Sequence, residues 1–136
     1  MRILIAEDDL SSRKFLHKFM SSYGDCDLTV DGMEALDAFL MAVEDGEPYD
    51  LVCVDIMMPK VDGVKVLQVI RDIERQKEVP AEERCRIIMT TALNDVELVN
   101  RLFEYGCEAY ATKPIDIKKL SQVMEKLNCS PREMDN

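Results

Sequence analysis

The sequence predicts an α/β fold in which a parallel, five-stranded sheet carries helices on both faces. Apolar runs alternate with amphipathic helical stripes from one end of the chain to the other, which gives five successive βα units. The central runs lack polar alternation, as is typical of strands buried on both faces. With 136 residues, 47% of them apolar, the chain is long enough to form one domain with a substantial core.

Five segments are predicted as strands. Three are unbroken apolar runs, and a fourth is short; they lie at residues 3–6, 51–54, 87–89 and 109–111. In the remaining segment Cys26, Leu28 and Val30 alternate with polar neighbours, which favours a strand near the edge of the sheet.

Helical stripes fill the intervals between these strands. Apolar residues recur at helical spacing in four of them: Phe15, Leu16, Phe19 and Met20; Ala35, Leu36, Phe39, Leu40 and Val43; Val66, Leu67, Ile70 and Ile73; and Ile117, Leu120, Val123, Met124 and Leu127. The candidate N-terminal caps are Ser11, Asn94 or Asp95, and Asp116. Gly24 and Gly106 indicate helix ends.

The fourth helix has more apolar residues than one buried face requires. Val96, Leu98, Val99, Leu102 and Phe103 cover most of its circumference. Either part of this helix is an exposed partner surface, or the long connection at residues 75–84 covers it.

Composition excludes several classes of partner. The formal net charge of −10 opposes binding to nucleic acid and to anionic membranes, and it favours cations and basic protein surfaces. We expect a cytoplasmic protein, because the sequence has no signal peptide and no apolar stretch long enough to span a bilayer. The five cysteines form no C-x-x-C pair, so we expect reduced thiols packed as small apolar residues.

Acidic residues follow two strands that we expect to be neighbours. Glu7, Asp8 and Asp9 come after the first strand, and Asp55 ends the third. In a sheet of order 2-1-3-4-5 these strand ends flank the crevice where ligands bind. Carboxylates that are brought together repel one another, so a cation is required. An all-oxygen ligand set without histidine or cysteine favours Mg²⁺, which Mn²⁺ can replace, over zinc, and no EF-hand loop pattern is present.

A fixed cation and a hydroxyl are predicted at the same edge of the sheet. The fifth strand ends at Lys113-Pro114, and the fourth ends at Thr91. A carboxylate can attack phosphorus to form an aspartyl phosphate, and a lysine and a metal ion stabilise phosphoryl oxygens.

These residues resemble the receiver domain of two-component response regulators of the chemotaxis-regulator type, from Arg2 to about Leu127. The motifs that carry the resemblance are Glu7-Asp8-Asp9, Asp55-Ile56-Met57-Met58-Pro59 with Asp62-Gly63, Thr91-Ala92 and Lys113-Pro114. The resemblance implies a flavodoxin-like, three-layer (βα)5 sandwich with a receiver domain at residues 1–127 and a polar tail at 128–136.

The resemblance also implies a role for each motif residue. Asp55 would be the phosphoacceptor, Asp9 a direct Mg²⁺ ligand, Asp8 a ligand mainly through water, and the backbone carbonyl of Met57 a further ligand. The phosphoryl group would be bound and sensed by Lys113, Thr91 and the switch aromatic Tyr110. The bond between Lys113 and Pro114 would be cis. Structural roles would fall to Pro59, Gly63, Ala92 and Pro114.

The implied function is signalling and not enzymatic turnover of a substrate. A sensor histidine kinase would supply the phosphoryl group. The fourth helix, fifth strand and fifth helix would then change as an output surface. We expect a stand-alone regulator whose output is a protein contact: a flagellar motor component, a kinase, a phosphotransfer protein or a second copy of the chain.

Two features depart from the family pattern. The connection before the fourth strand is several residues longer than in compact members. Met57 and Leu93 are apolar at positions that influence attack of water on the phosphoryl group, so we predict slow self-dephosphorylation.

Other interpretations of the same residues remain open at this point. The aspartates could be ordinary turn residues, Lys113 a surface lysine and Tyr110 a packing residue. A binding module that keeps the fold without phosphorylation would have lost Asp55, Lys113 or an acidic residue, and none is lost. A nucleotide-binding protein would carry a glycine-rich loop after the first strand, where this chain has acids.

Overall fold

The protein is described by a computed structural model over residues 1–92 and 94–132, and strands and helices alternate along it. The strands are β1 (Arg2–Ala6), β2 (Asp25–Thr29), β3 (Leu51–Asp55), β4 (Arg86–Thr91) and β5 (Ala109–Thr112). The helices are α1 (Leu10–Met20), α2 (Gly32–Glu44), α3 (Gly63–Gln76), α4 (Val96–Glu104) and α5 (Ile117–Lys126). A 3₁₀ turn at Ala81–Glu83 precedes β4.

The five strands form one parallel sheet in the order β2-β1-β3-β4-β5. The predicted fold class and strand order are therefore confirmed. Since strand order reverses between β1 and β3, the carboxyl ends of these two strands open onto a common crevice.

Side chains of the central strands alternate between two cores. Leu4, Val52 and Ile87 pack on the face that α2 and α3 cover, where Phe39 and Ile70 are also buried. The opposite core lies beneath α1 and α5 and contains Ile3, Ile5, Leu51, Cys53, Ile88, Leu16, Met20, Leu120 and Met124. Burial on both faces explains why these strands are apolar without alternation.

An aspartate caps the N-terminus of every α-helix in the described part of the chain: Asp9, Asp31, Asp62, Asp95 and Asp116. The predictions of Asp95 and Asp116 are confirmed. The prediction of Ser11 is wrong, because α1 begins one residue earlier and the Asp9 carboxylate accepts a 2.9 Å hydrogen bond from the Ser12 amide.

β2 lies at the edge of the sheet, as its alternating pattern predicted. The alternation does not mark its buried side, however. Leu28 is 41% exposed, whereas Thr29 is buried and donates a 2.9 Å hydrogen bond to the Ile5 carbonyl. A hydroxyl can be buried when it donates to a backbone carbonyl. The pattern of polar and apolar residues alone therefore does not show which face of β2 is buried.

The long connection before β4 is held by one buried arginine. Arg71 on α3 donates to the Cys85 carbonyl at 2.8 Å, to the Gly106 carbonyl at 2.8 Å, and to Glu74 and Glu108 at 2.6 and 2.9 Å. Arg71 thus ties α3 to the connection and to the loop between α4 and β5.

This connection does not cover α4. Val96 is 71% exposed and Phe103 is 44% exposed. Of the two interpretations of the apolar fourth helix, the exposed surface is the one that the structure supports.

The described part of the tail packs against the domain. Cys129 is buried, and Arg132 donates from its backbone amide to the Ser22 carbonyl at 2.8 Å. All five cysteines are free thiols, as predicted. Within residues 1–92 and 94–132, no helix has the length and apolar character needed to cross a membrane.

We expect Arg71→Met to lower the free energy of unfolding by about 3 kcal/mol, because it leaves Glu74 buried without its charged partner. Urea denaturation measures the change. Arg75→Met is the matched control: Arg75 pairs with Asp72 at the surface of the same helix, so we expect a change of about 0.5 kcal/mol or less. Equal losses in the two variants would contradict the prediction.

Candidate functional site

Three carboxylates meet at the carboxyl ends of β1 and β3. Oxygen atoms of Glu7, Asp8 and Asp55 all lie within 4.8 Å of one another. Glu7 and Asp55 are buried, whereas Asp8 is exposed to solvent. β1 and β3 are paired in parallel, so their carboxyl ends lie side by side. Glu7 and Asp8, which follow β1, therefore lie next to Asp55, which ends β3. The predicted gathering of acidic oxygens at this crevice is present.

Lys113 places an ammonium group between two of these carboxylates. Its Nζ donates to Asp55 Oδ2 at 3.0 Å and to Glu7 Oε1 at 3.2 Å, and it lies 3.0 Å from Glu7 Oε2. The Lys113 amide donates to the Thr91 carbonyl at 2.7 Å, which holds the end of β5 against β4. The bond between Lys113 and Pro114 is cis, as the resemblance implied.

Burial and neighbouring charge act on these groups in opposite directions. Burial raises the pKa of Glu7 and the charge of Asp55 adds to this effect, while the hydrogen bond from Lys113 opposes it. Burial alone would lower the pKa of Lys113, but the hydrogen bonds to Asp55 and Glu7 raise it overall. Lys113 is therefore a permanent cation at neutral pH.

The donor set fits a divalent cation. Three carboxyl groups lie around the Lys113 ammonium in one small volume, and all the available ligand atoms of this cluster are oxygens. Glu7 Oε2 is fully buried, and among the described residues it has an ion-pair contact but no hydrogen bond. A buried carboxylate oxygen that accepts no hydrogen bond, in a cluster with two further carboxylates, suits a hydrated Mg²⁺ ion.

Asp9 does not join this group, in contrast to its predicted role as a direct metal ligand. Its carboxylate accepts from the Ser12 amide, and that hydrogen bond lowers the pKa of Asp9. The Asp9 amide instead donates to Glu7 Oε1 at 3.1 Å. Of the three acidic residues after β1, Glu7 and Asp8 are therefore the two whose carboxylates lie beside Asp55.

Glu7 is the site residue that sequence reasoning missed. Glu7 belongs to the Glu7-Asp8-Asp9 motif, but the resemblance implied metal-ligand roles for Asp8 and Asp9 only. The start of α1 is the sequence feature that could have identified this arrangement. An aspartate three residues before Ser12 and ahead of an amphipathic stripe predicts an N-terminal cap, and a capping carboxylate is directed toward the helix amides.

The two predicted switch residues occupy different environments. Thr91 is buried at the end of β4, next to the crevice. Tyr110 is 39% exposed and packs edge-on against Phe103 of α4, with ring centroids 6.0 Å apart. The Tyr110 side chain therefore lies on the α4–β5 surface.

The loop after Asp55 shows why its glycine is needed. A Cβ atom on Gly63 would lie 2.3 Å from the Asp55 carbonyl oxygen, and the Gly63 amide donates to the Ile56 carbonyl at 2.8 Å. Only glycine allows α3 to start so close to the phosphoacceptor candidate. The Pro59 carbonyl accepts from the Val61 amide at 2.9 Å and closes the turn between them.

The remaining predicted residues border the same crevice or lie near it. The Met57 side chain is 63% exposed, and its amide lies 3.4 Å from Asp55 Oδ1 as a hydrogen-bond donor. Ala92 is exposed directly after β4. Leu93, the second residue named for slow dephosphorylation, lies outside the described residues.

Residues 3–125 match the family described as the response regulator receiver domain, and the chain therefore belongs to this family. It is 40% identical over 120 residues to the probable transcriptional regulator ycf27 of Guillardia theta, covering 88% of this chain and 42% of that protein. It is 30% identical to the chemotaxis protein CheY of Treponema pallidum, covering 88% and 76% of the two chains. The chain thus spans less than half the length of the ycf27 relatives that it matches.

Solved structures agree with this assignment. A chain in the CheX–CheY–BeF3–Mg²⁺ complex of Borrelia burgdorferi superposes with a TM-score of 0.76 at 29% identity, covering 93% of this chain and 89% of that one. The receiver domain of Ssk1, crystallised with Ypd1 of Saccharomyces cerevisiae, shares the fold with a TM-score of 0.75 at 24% identity, covering 92% and 87%.

We expect Glu7→Gln to stabilise the protein at neutral pH when a chelator is present. A carboxyl group with a raised pKa in the folded state costs stability once the pH exceeds its ordinary value of 4.5. The gain in free energy of unfolding should be about 1 kcal/mol at about pH 7 and close to zero at about pH 4. Urea denaturation at the two pH values measures it.

Glu44→Gln serves as the control for that experiment, because Glu44 is an exposed residue of α2. Its effect should be small at both pH values. A Glu7→Gln variant that is less stable than the wild type at neutral pH would show that the ionised carboxylate is a net stabilising group.

Proposed function

We propose that this chain receives a phosphoryl group on Asp55 from a sensor histidine kinase and signals through the resulting change in its surface. The observation that carries the proposal is the position of Lys113, whose ammonium lies 3.0 Å from Asp55 Oδ2 within the carboxylate cluster. An Asp55 oxygen attacks the phosphorus of a phosphohistidine, the P–N bond breaks, and the imidazole leaves with the bonding electrons. The product is an acyl phosphate on Asp55.

Asp8, Asp55 and the backbone carbonyl of Met57 would hold Mg²⁺ or Mn²⁺, with Glu7 as the fourth contributor. When bound, the ion neutralises charge on the phosphoryl oxygens. Asp9 is left out of this set, because its carboxylate caps α1. The presence of Mg²⁺ and BeF3 in the Borrelia complex supports the same chemistry in this chain at 29% identity.

Lys113 and Thr91 would respond to the phosphoryl group. Lys113 exchanges its hydrogen bond with Asp55 for one to a phosphoryl oxygen. The Thr91 hydroxyl is drawn toward the same group, and Tyr110 turns inward from its exposed position beside Phe103. The surface formed by α4, β5 and α5 then changes shape. Thr91 and Tyr110 are therefore the two-state element of this proposal.

The partners follow from this assignment. The kinase reaches Asp55, and the exposed α4–β5 surface meets a downstream protein, a phosphotransfer protein or a second copy of the chain. The complex of Ssk1 with Ypd1 shows a receiver domain with a phosphotransfer protein, and the Treponema relative favours a chemotaxis-type output. We propose residues 1–127 as the bounds of the receiver domain.

Incubation with acetyl phosphate and Mg²⁺ tests the proposal directly. Intact-protein mass spectrometry should show one added phosphoryl group on the wild type and none on Asp55→Asn. Asp50→Asn is the matched control, because Asp50 accepts from the Arg2 amide at the amino end of the sheet. Equal labelling of Asp55→Asn and the wild type would refute the proposal.

The choice of metal ligands has its own test. Isothermal titration should show that Asp8→Asn weakens Mg²⁺ binding by about tenfold or more, because a charged ligand is lost. Asp9→Asn should leave binding and stability nearly unchanged, since asparagine caps a helix about as well as aspartate. A larger loss of affinity in Asp9→Asn than in Asp8→Asn would restore the original ligand assignment.

The exposed, apolar Met57 next to Asp55 supports slow loss of the phosphoryl group. We expect Met57→Asn to accelerate hydrolysis several-fold, because a polar side chain can orient the attacking water. The decay of the labelled protein, followed by mass spectrometry, measures the rate. Met33→Asn, on the exposed face of α2, is the control, and rapid decay that is equal in all three proteins would contradict the prediction.

A further inference from the structure

A second exposed apolar surface lies at the β2 edge of the sheet, whereas α4 lies near the β5 edge, where Phe103 packs against Tyr110. A groove of about 250 Å³ runs between the edge strand β2 and helix α2. Leu28, Ala38 and Met41 line it, and Leu28 and Met41 are 41% and 61% exposed. We call this groove and the outer face of α2 the α2–β2 surface.

The outer face of α2 extends this groove with further apolar side chains. Met33 and Leu40 are exposed and stand on the same side of the helix as Met41, at spacings of seven and eight residues. The face of α2 that packs on the sheet is a different one, built from Ala35, Phe39 and Ala42. The core therefore does not account for these methionines, and exposed apolar patches of this kind often mark contact sites.

Charge is distributed very unevenly around this surface. Residues 19–59 contain ten acidic residues and no lysine, arginine or histidine, so this segment alone carries a charge equal to the −10 of the whole chain. Asp27, Asp45 and Glu47 line the groove itself. Arg2 is the one cation among its lining residues, and it is already engaged by Asp27 at 3.1 Å and by the Tyr49 ring at 4.5 Å.

We infer that the α2–β2 surface binds a basic amphipathic segment of another protein. Apolar side chains of the partner would enter the groove beside Leu28 and Met41, and its lysine or arginine residues would meet the acidic rim. Unbranched methionine side chains adapt to such anchors. A second copy of the chain is a poor occupant, since two faces of the same negative charge would oppose each other.

This surface is distinct from the phosphoryl site and goes beyond the proposed function. Arg2 begins β1 and Tyr49 lies two residues before β3, so the Arg2–Tyr49 end of the groove borders the amino ends of these strands. Asp55 lies at the carboxyl end of β3. Binding is therefore measurable on unphosphorylated protein, and its failure would leave the acetyl phosphate experiment unaffected.

The test uses a synthetic amphipathic peptide of leucine and lysine and a counterpart in which glutamate replaces each lysine. The lysine peptide should bind with an affinity that falls as salt is raised, and the glutamate peptide should not bind. Amide NMR spectra of the full chain should place the largest shifts on β2 and α2. Shifts centred on α4, or equal binding of both peptides, would overturn the inference.

Two sets of variants separate the contributions of shape and charge. Leu28→Ser with Met41→Ser should weaken binding by about tenfold or more, and the triple change Asp37→Asn, Glu44→Gln and Asp45→Asn should weaken it and reduce its salt dependence. Met33→Ser alone gives a smaller loss if the double variant melts early. The controls, Phe103→Ser on α4 and Glu82→Gln with Glu83→Gln before β4, should bind like the wild type.

Measuring self-association tests whether a second copy of the chain occupies the α2–β2 surface. Sedimentation of the wild type should show a monomer under the conditions of the peptide titration. A dimer that Leu28→Ser with Met41→Ser dissociates would assign the surface to a second copy and overturn the inference. The inference would also be overturned if both sets of variants bound the lysine peptide with the affinity of the wild type.

Discussion

The whole site depends on repulsion between carboxylates that the backbone does not allow to separate. Glu7 and Asp8 follow β1, Asp55 ends β3, and parallel pairing of these strands leaves their side chains at one point of the crevice. Lys113 pairs with Glu7 and Asp55, so one ammonium serves a cluster of three carboxyl groups. A metal ion and a phosphoryl group are ligands that such a centre can accept together, because each brings the charge that the other needs.

The fold maintains this arrangement through rigid backbone contacts around each charged residue. The start of α3 presses against Asp55 where only a glycine fits, and the Thr91 carbonyl fixes the amide of Lys113. Glu7 is fully buried and accepts from both the Asp9 amide and Lys113, so it has no path to solvent. A cation bound in the crevice can therefore relieve the repulsion without any movement of the Glu7 carboxylate.

Sequence reasoning succeeded where one strong physical pattern determines the structure. Double-sided burial gives unbroken apolar strands, and the sheet order places the acids in one crevice. It could not choose between neighbouring residues of the same type: Asp8 and Asp9 are alike in sequence, and only in the structure does the hydrogen bond from the Ser12 amide identify Asp9 as the helix cap. The Arg71 network was not predictable, because its partners at Cys85, Gly106 and Glu108 are distant in the chain.

The placement of charge has a consequence for how partners could share the molecule. Outside residues 19–59 the acidic and basic residues are equal in number, so the excess negative charge belongs to the segment that supplies β2, α2 and β3. Within it, Asp55 faces the carboxyl end of the sheet, while Asp27, Asp45 and Glu47 face the groove. A basic segment on the α2–β2 surface and a kinase at Asp55 would occupy different ends of the same strands. One molecule could therefore be held by the first partner while the second phosphorylates it, and the negative field of the acidic segment would speed the encounter with the basic segment.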